Sequence, residues 1–345
     1  MTLRIGLGLF TGQVPPDQGR TIAQEYSDIL GLARLAEQVG FDSFWVSEHH
    51  GAEDSYLPSL IVMLAAVAAV TDRITLGTAV VLAPFQQPLR FAEDCAVLDQ
   101  LSRGRLIVGL GLGWRKREFE SFSVPMSERV GRTAELLSIC RAAWDHERFT
   151  FEGKHFHYRD VMVTPKPYGY LPILLGGSVA QAAARAGKIA DGFMATPKNN
   201  IDVFRRQIAI FDEAARARGR DPRKMPVGFH VDAWLSPDGQ LPNNVRRAMV
   251  HMVATYALWR EQDTGGTSTL LPQVDRAELR ARAITGTPAD VIAQIRPWIG
   301  EFGDREFHVV VRLHYPGMAA ADAARAVRLF ASDVIPELRS INNPQ

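Results

Sequence analysis

The sequence predicts an α/β fold, a (β/α)8 barrel, and three observations carry that prediction. Eight short β-rich runs alternate strictly with eight helical patterns, which calls for a parallel sheet covered by helices, and a count of eight favours closure over an open sheet. The 345 residues exceed the roughly 250 of a typical barrel by enough to hold insertions. Hydrophobic residues make up 46% and charged residues 22%, a globular balance that excludes collagenous, disordered and disulfide-scaffold chains.

The first strand is expected at 4–10 and the first helix at 22–39, ended by Gly40, where a left-handed cap suits the turn into strand 43–47. Helix 59–70, SLIVMLAAVAAV, is apolar on every face and needs a second cover besides the barrel. Strand 74–81 leads to helix 88–101, which Pro88 can open and Gly104 can cap. Strand 106–110 and helix 128–145 complete the first half. Strands 173–175, 192–195, 227–235 and 307–313 then alternate with helices 179–189, 201–218, 243–261 and 320–338. Two stretches break the alternation. Residues 148–172 read as a β-hairpin inserted after the fourth helix, turning at Glu152-Gly153. Residues 262–298 read as a mobile loop around Gly265-Gly266 and a short helix, then a helix at 288–298 before the last strand. No composition shift or repeat marks a second domain, so 1–345 is read as one domain.

Lys and Arg total 39 against 38 Asp and Glu, and a net charge of +1 argues against a polyanionic partner such as nucleic acid. Cys95 and Cys140 are too few for a disulfide framework, the first residues lack a signal-peptide pattern, and the longest apolar run, 60–70, falls short of the ~20 residues that cross a bilayer. A cytoplasmic protein with no membrane partner is expected. A second copy of the chain is the simplest cover for helix 59–70, with 88–101 beside it, which predicts a homodimer.

In a parallel barrel, function collects where strands end. Those ends are mostly apolar and glycine-rich with few carboxylates, which suits a flat aromatic ligand better than a sugar or a metal. Glu48-His49-His50 lacks a metal-binding spacing, because adjacent residues leaving a strand point apart, and His155-Phe156-His157 falls in the hairpin, so no metal site is expected. His49 is the candidate catalytic base or donor, with Trp45 and Phe10 as its expected apolar wall. Glu48 and His50 read equally well as a pair at the barrel rim. In Gly109-Leu110-Gly111-Leu112-Gly113-Trp114 the dinucleotide fingerprint fails at Trp114, and Gly111 instead suggests close approach of a backbone to a ligand beside Trp114 or Arg115. Gly176-Gly177-Ser178 opens a helix, where bare N–H groups and a capping serine can hold a phosphate. The same serine is near a nucleophile elbow lacking its last glycine, with Asp232 and His308 or His314 in hydrolase order.

GFDSFWVSEHHG at 40–51 and RITLGTAVVLAPFQQPLRFAEDCAVLDQLSRGRLIVGLGLGW at 73–114 resemble the luciferase-like flavin-dependent oxidoreductases, the family of the bacterial luciferase alpha chain. PILLGGS, ADGF and TGTPADVIAQI follow in the same order. The resemblance implies a luciferase-like TIM barrel that binds reduced FMN, or alternatively F420, at the carboxyl-end mouth. His49 matches the family's catalytic histidine, Ala79-Val80 its non-proline cis peptide behind the ring, and Gly177-Ser178 its phosphate side. Gly111 stands for the luciferase cysteine and Leu112 for its phosphate arginine, which leaves Arg115 as a replacement. The implied reaction joins O2 to reduced FMN as a C4a-peroxyflavin and oxidises a largely apolar organic substrate, with a separate flavin reductase as partner. A flavin-binding protein without turnover is the other class the resemblance allows.

Overall fold

The computed structural model describes residues 2–16, 19–197, 199–268, 272–299 and 305–341. Its barrel strands are Thr2–Phe10, Ser43–Val46, Thr75–Thr78, Leu106–Gly111, Ile173–Gly177, Gly192–Ala195, Val227–Leu235 and Glu306–Arg312. Each pairs in parallel with the next, and the eighth returns to the first with Val309 opposite Ile5, so the sheet closes. Alternate side chains turn inward, and Leu9, Trp45, Ile107, Leu174, Met194 and Val310 fill the lumen. A larger apolar layer joins the outer strand faces to the helices, with Phe204, Phe229, Phe307 and Trp298 stacked or tilted against one another.

Local signals explain the boundaries. Thr21 and Gln24 form a capping box at the first helix, Ile22–Val39, and Gly40 ends it with φ of 92°. Pro88 opens Pro88–Ser102, capped by the Gln87 side chain, and at its end Arg103, the cap, is left-handed at φ 57° together with Gly104 at φ 80°. The hairpin is present as Phe149–Glu152 and His157–Val161, shorter than the 148–172 segment suggests.

Three further departures reflect tertiary pairing. The run 74–81 is not one strand: Thr75–Thr78 ends at a cis Ala79–Val80 peptide, and Val81–Leu82 resumes against the fourth strand. A second non-proline cis peptide, Gly8–Leu9, has no counterpart in the sequence reading. Within 262–298, Ala283–Gly286 adds a parallel strand beside Asp232–Leu235, and Pro288–Ile295 forms the expected helix; residues 269–271 lie outside the described residues.

Helix Asn243–Asp263 departs from the outer layer. It lies across the carboxyl-end mouth: His251 reaches Asp54, Tyr256 reaches Tyr56, Trp259 packs on His49, and Asp263 accepts from the Lys116 N–H. Those partners sit on the loops after the second and fourth strands. Among the described residues no helix is long and apolar enough to cross a membrane.

Candidate active site

The second strand delivers Ser47-Glu48-His49-His50 to the mouth, and the loop after the fourth strand brings Trp114, Arg115 and the short helix Lys116–Ser121 against it. His49 is 5% exposed. Its Nδ1 lies 2.8 Å from Glu118 Oε1, and the same oxygen accepts the His50 N–H at 2.8 Å. An oxygen accepting a backbone N–H offers lone pairs, so Nδ1 carries a hydrogen, and in the neutral imidazole Nε2 is then the nitrogen with the lone pair. Glu118 therefore fixes both the ring and the tautomer. Arg115 Nη1 stands 3.8 Å from Glu118 and donates to the His50 carbonyl, and the guanidinium carbon Cζ lies 3.7 Å from the Trp259 ring centroid.

The expected wall of Trp45 and Phe10 is not the one that forms. Trp45 points into the lumen and donates to Ser43, while Phe10 stacks on Phe44 and His314. The rings around His49 are Tyr56 at 5.0 Å, Trp259 at 5.0 Å, Tyr256 at 5.5 Å and Trp114 at 6.0 Å. The strand ends at Val46, so Trp45 follows its pleat into the lumen, while His49 lies three residues past that end, in the loop, and takes its neighbours from there. Glu48 and His50 form the rim pair at 3.1 Å, and Glu48 also accepts the Leu82 N–H.

Gly111 and Gly176 make room for a side chain of this chain rather than for a ligand. A Cβ at Gly111 would lie 2.3 Å from Val80 Cγ2, and one at Gly176 would lie 2.7 Å from Val80 Cγ1. Ala79-Val80 thus seats between the fourth and fifth strands, and the structure joins four predicted positions in one patch.

Ser178 does not cap its helix. Helix Ala180–Ile189 takes Val179 as its N-cap, with no side-chain hydrogen bond, and Ser178, Val179 and Ala180 are exposed. Among the described residues its first N–H groups and the Ser178 hydroxyl thus have no partner and are open to an anion. Arg185, one turn further along, is half-buried; burial and then the neighbouring Arg129 guanidinium push its pKa below the ordinary range. Among the described residues neither arginine pairs with a carboxylate. Arg115, the sequence candidate for this role, instead spends its guanidinium on His50, Glu118 and Trp259.

The hydrolase pattern does not assemble, because Asp232 faces Arg312 at 3.4 Å and His314 faces Glu25 at 3.7 Å. His155 and His157 pair separately with Glu128 and Glu152, and among the described residues no group of three His, Cys, Asp or Glu could hold a metal. Sequence reasoning missed Glu118, Tyr56, Tyr256, Trp259, Arg129, Arg185 and the buried Arg312. For Glu118 one signal was available, a carboxylate three residues after Arg115 in WRKREF.

A family model described as luciferase-like monooxygenase matches residues 5–305. An F420-dependent glucose-6-phosphate dehydrogenase of Intrasporangium calvum is 29% identical over 327 residues, 89% of this chain and 93% of that protein. The crystal structure of monooxygenase RslO1 from Streptomyces bottropensis superposes with a TM-score of 0.83 at 30% identity, covering 97% of this chain and 99% of that one. The oxygenating constituent of 3,6-diketocamphane monooxygenase from Pseudomonas putida, in complex with FMN, shares the fold at TM-score 0.78 and 20% identity, over 97% and 98% of the two chains.

Proposed function

This chain belongs to the luciferase-like monooxygenase family and is an oxidoreductase, and we propose that it uses reduced FMN and O2 to oxidise a largely apolar organic substrate. The observation that carries this reading is the buried His49–Glu118 pair, 2.8 Å apart, at the carboxyl-end mouth beneath four aromatic rings. When bound, reduced FMN would supply the two electrons with which O2 gives one oxygen atom to the substrate and the other to water. A separate flavin reductase would deliver it.

The residues present fit such a cofactor. The uncapped start of Ala180–Ile189, Ser178 and the uncompensated Arg129–Arg185 pair would hold its phosphate, and the pair answers for the arginine that Leu112 replaces. Ala79, Val80, Gly111 and Gly176 would back the ring, with Gly177 at the turn toward the phosphate. His49 Nε2 would take or return a proton at the reacting group while Glu118 holds the ring, and Trp114 and Arg115 would exclude water beside it.

An F420-dependent oxidoreductase is the second reading, favoured by the F420-dependent relative that aligns with 89% of the chain. Titration of the purified protein with FMN, reduced FMN and F420 separates the two. Tightest binding of reduced FMN supports the proposal, and binding of F420 alone overturns it in favour of the second reading.

We further infer a cytoplasmic homodimer. Val62 is 70% exposed on Leu60–Ala68, and Leu101 is 60% exposed on the adjoining Pro88–Ser102, an apolar face that a two-fold contact would cover. A monomer in sedimentation at micromolar concentration would remove this part.

A further inference from the structure

Helix Asn243–Asp263 crosses the loop that follows the second strand, which in turn bonds to the loop after the first, and buried acceptors are left unmet in one place. Gln13 is wholly buried and Asp54 more than nine-tenths buried. Gln13 Nε2 donates to Asp54 Oδ2 at 2.6 Å, and His251 Nε2, from the helix, meets the same oxygen at 2.9 Å. Both contacts thus use a single carboxylate oxygen. Among the described residues, Asp54 Oδ1 and Gln13 Oε1 have no hydrogen-bond partner, and neither has the Thr255 hydroxyl, one turn along the same helix face as His251.

An unmet buried acceptor costs about 1–3 kcal/mol, so two on bonded neighbours form a standing demand for a donor. The place adjoins the His49 chamber. Tyr56, two residues beyond Asp54, packs its ring 5.0 Å from His49 and bonds at 3.0 Å to Tyr256, the residue after Thr255. Two cations of the mouth are engaged elsewhere: Arg115 with Glu118 and Trp259, Arg312 with Asp232 and the Leu9 carbonyl. An anionic group placed here would face the Asp54 carboxylate with neither guanidinium free to neutralise it.

We propose that Gln13, Asp54 and Thr255 form a substrate subsite for a hydrogen-bond donor, a neutral hydroxyl or amino group on an otherwise apolar skeleton. The inference rests on the oxidoreductase reading above and names the substrate class of that site. A hydroxyl there donates to Asp54 Oδ1 or Gln13 Oε1 and can accept from Thr255, while an amino group, with two hydrogens, can serve both acceptors.

Three naphthalenes that differ in one substituent test it by calorimetric titration: 2-naphthol, 2-methoxynaphthalene and 2-naphthoate. The wild-type protein should bind 2-naphthol about tenfold more tightly than the other two, the worth of one hydrogen bond. Asp54→Asn, which replaces an acceptor by a donor at nearly constant shape, should reduce that preference to within about twofold. Gln13→Met should lower it as well, and serves if Asp54→Asn lowers the melting temperature. Equal affinity for 2-naphthol and 2-methoxynaphthalene in the wild type, no measurable 2-naphthol binding, or a preference that survives both substitutions overturns the subsite. The FMN and F420 titrations report separately on the cofactor, so the subsite can fail while the oxidoreductase reading stands.

Discussion

At the amino-terminal end of the barrel a cavity of about 550 Å³ opens among Arg4, Asp42, Thr75, Glu306 and His308, and a second of about 400 Å³ lies beside it near Asp191 and Arg220. At the carboxyl end, His49 is 5% exposed beneath Tyr56, Tyr256 and Trp259. The open end is where the charges are occupied. Burial alone would raise the Glu37 carboxyl, but backbone N–H groups of Arg73, Ile74 and Asp72 outweigh it and hold it below its usual range. A hydrogen bond from His308 does the same for Glu306, and Asp42 ties the Ile5 N–H to Arg339. His308 Nδ1 is an exception there. At the closed end, by contrast, Gln13, Asp54, Arg115, Glu118 and Thr255 keep buried polar atoms without partners among the described residues, and burial, then the Arg129 charge, lower the Arg185 pKa. Unmet polarity, rather than empty volume, distinguishes the end proposed for chemistry, because paired charges are already committed to holding loops.

The largest expected effect bears on that contrast directly. His49→Ala should lower substrate-dependent oxidation by about 10²–10⁴-fold, with FMN affinity and melting temperature nearly unchanged. A folded variant with full activity would break the assignment of chemistry to the closed end.

The next effect is on stability. Burial, and then the Arg20 charge, push the His314 imidazole down to about 4, and it stacks on Phe10 inside the mouth. As pH falls through 6.5 the unfolded chain takes up a proton that the folded protein refuses until about 4. The stability held above pH 6.5 is therefore lost progressively toward pH 4. His314→Gln should recover about 2–3 kcal/mol of that loss, read from urea unfolding at about pH 7 and about pH 4.5. Identical acid sensitivity in the variant and the wild type would show that the ring is not held neutral by its surroundings.

Ser178→Ala should weaken FMN binding by about 1–2 kcal/mol while leaving riboflavin binding unchanged, since only FMN carries the phosphate. Equal dissociation constants for FMN in variant and wild type would remove the phosphate from this helix start. The smallest effect is expected at the open end. Arg4→Ala, on the cavity wall, should change turnover less than about twofold and stability by less than about 0.5 kcal/mol. A large loss of activity there would overturn the distinction between the two ends.

Strand positions, the closed barrel and the hairpin were legible in the sequence, and so was the placement of His49, Ala79-Val80 and Gly176–Ser178 where strands end. The partners of those residues were not. Ser178 reads as a cap from its place before a helical run, yet the helix begins one residue later because Val179 is the last extended residue. Trp45 reads as a neighbour of His49 along the chain, but the pleat sends it into the lumen.

By itself the sequence determined what short windows encode: apolar spacing near 3.6 or 2, and the glycines and prolines that end each run. Those signals need only neighbours within a few residues, so they survive in a linear reading. The tertiary structure alone decided the contacts that barrel closure imposes. Glu118 meets His49 across 69 positions, Tyr256 meets Tyr56 across 200, and helix Asn243–Asp263 covers the mouth instead of the barrel wall. No local propensity marks such pairs, because they exist only once eight strands have closed and brought their loops to one end.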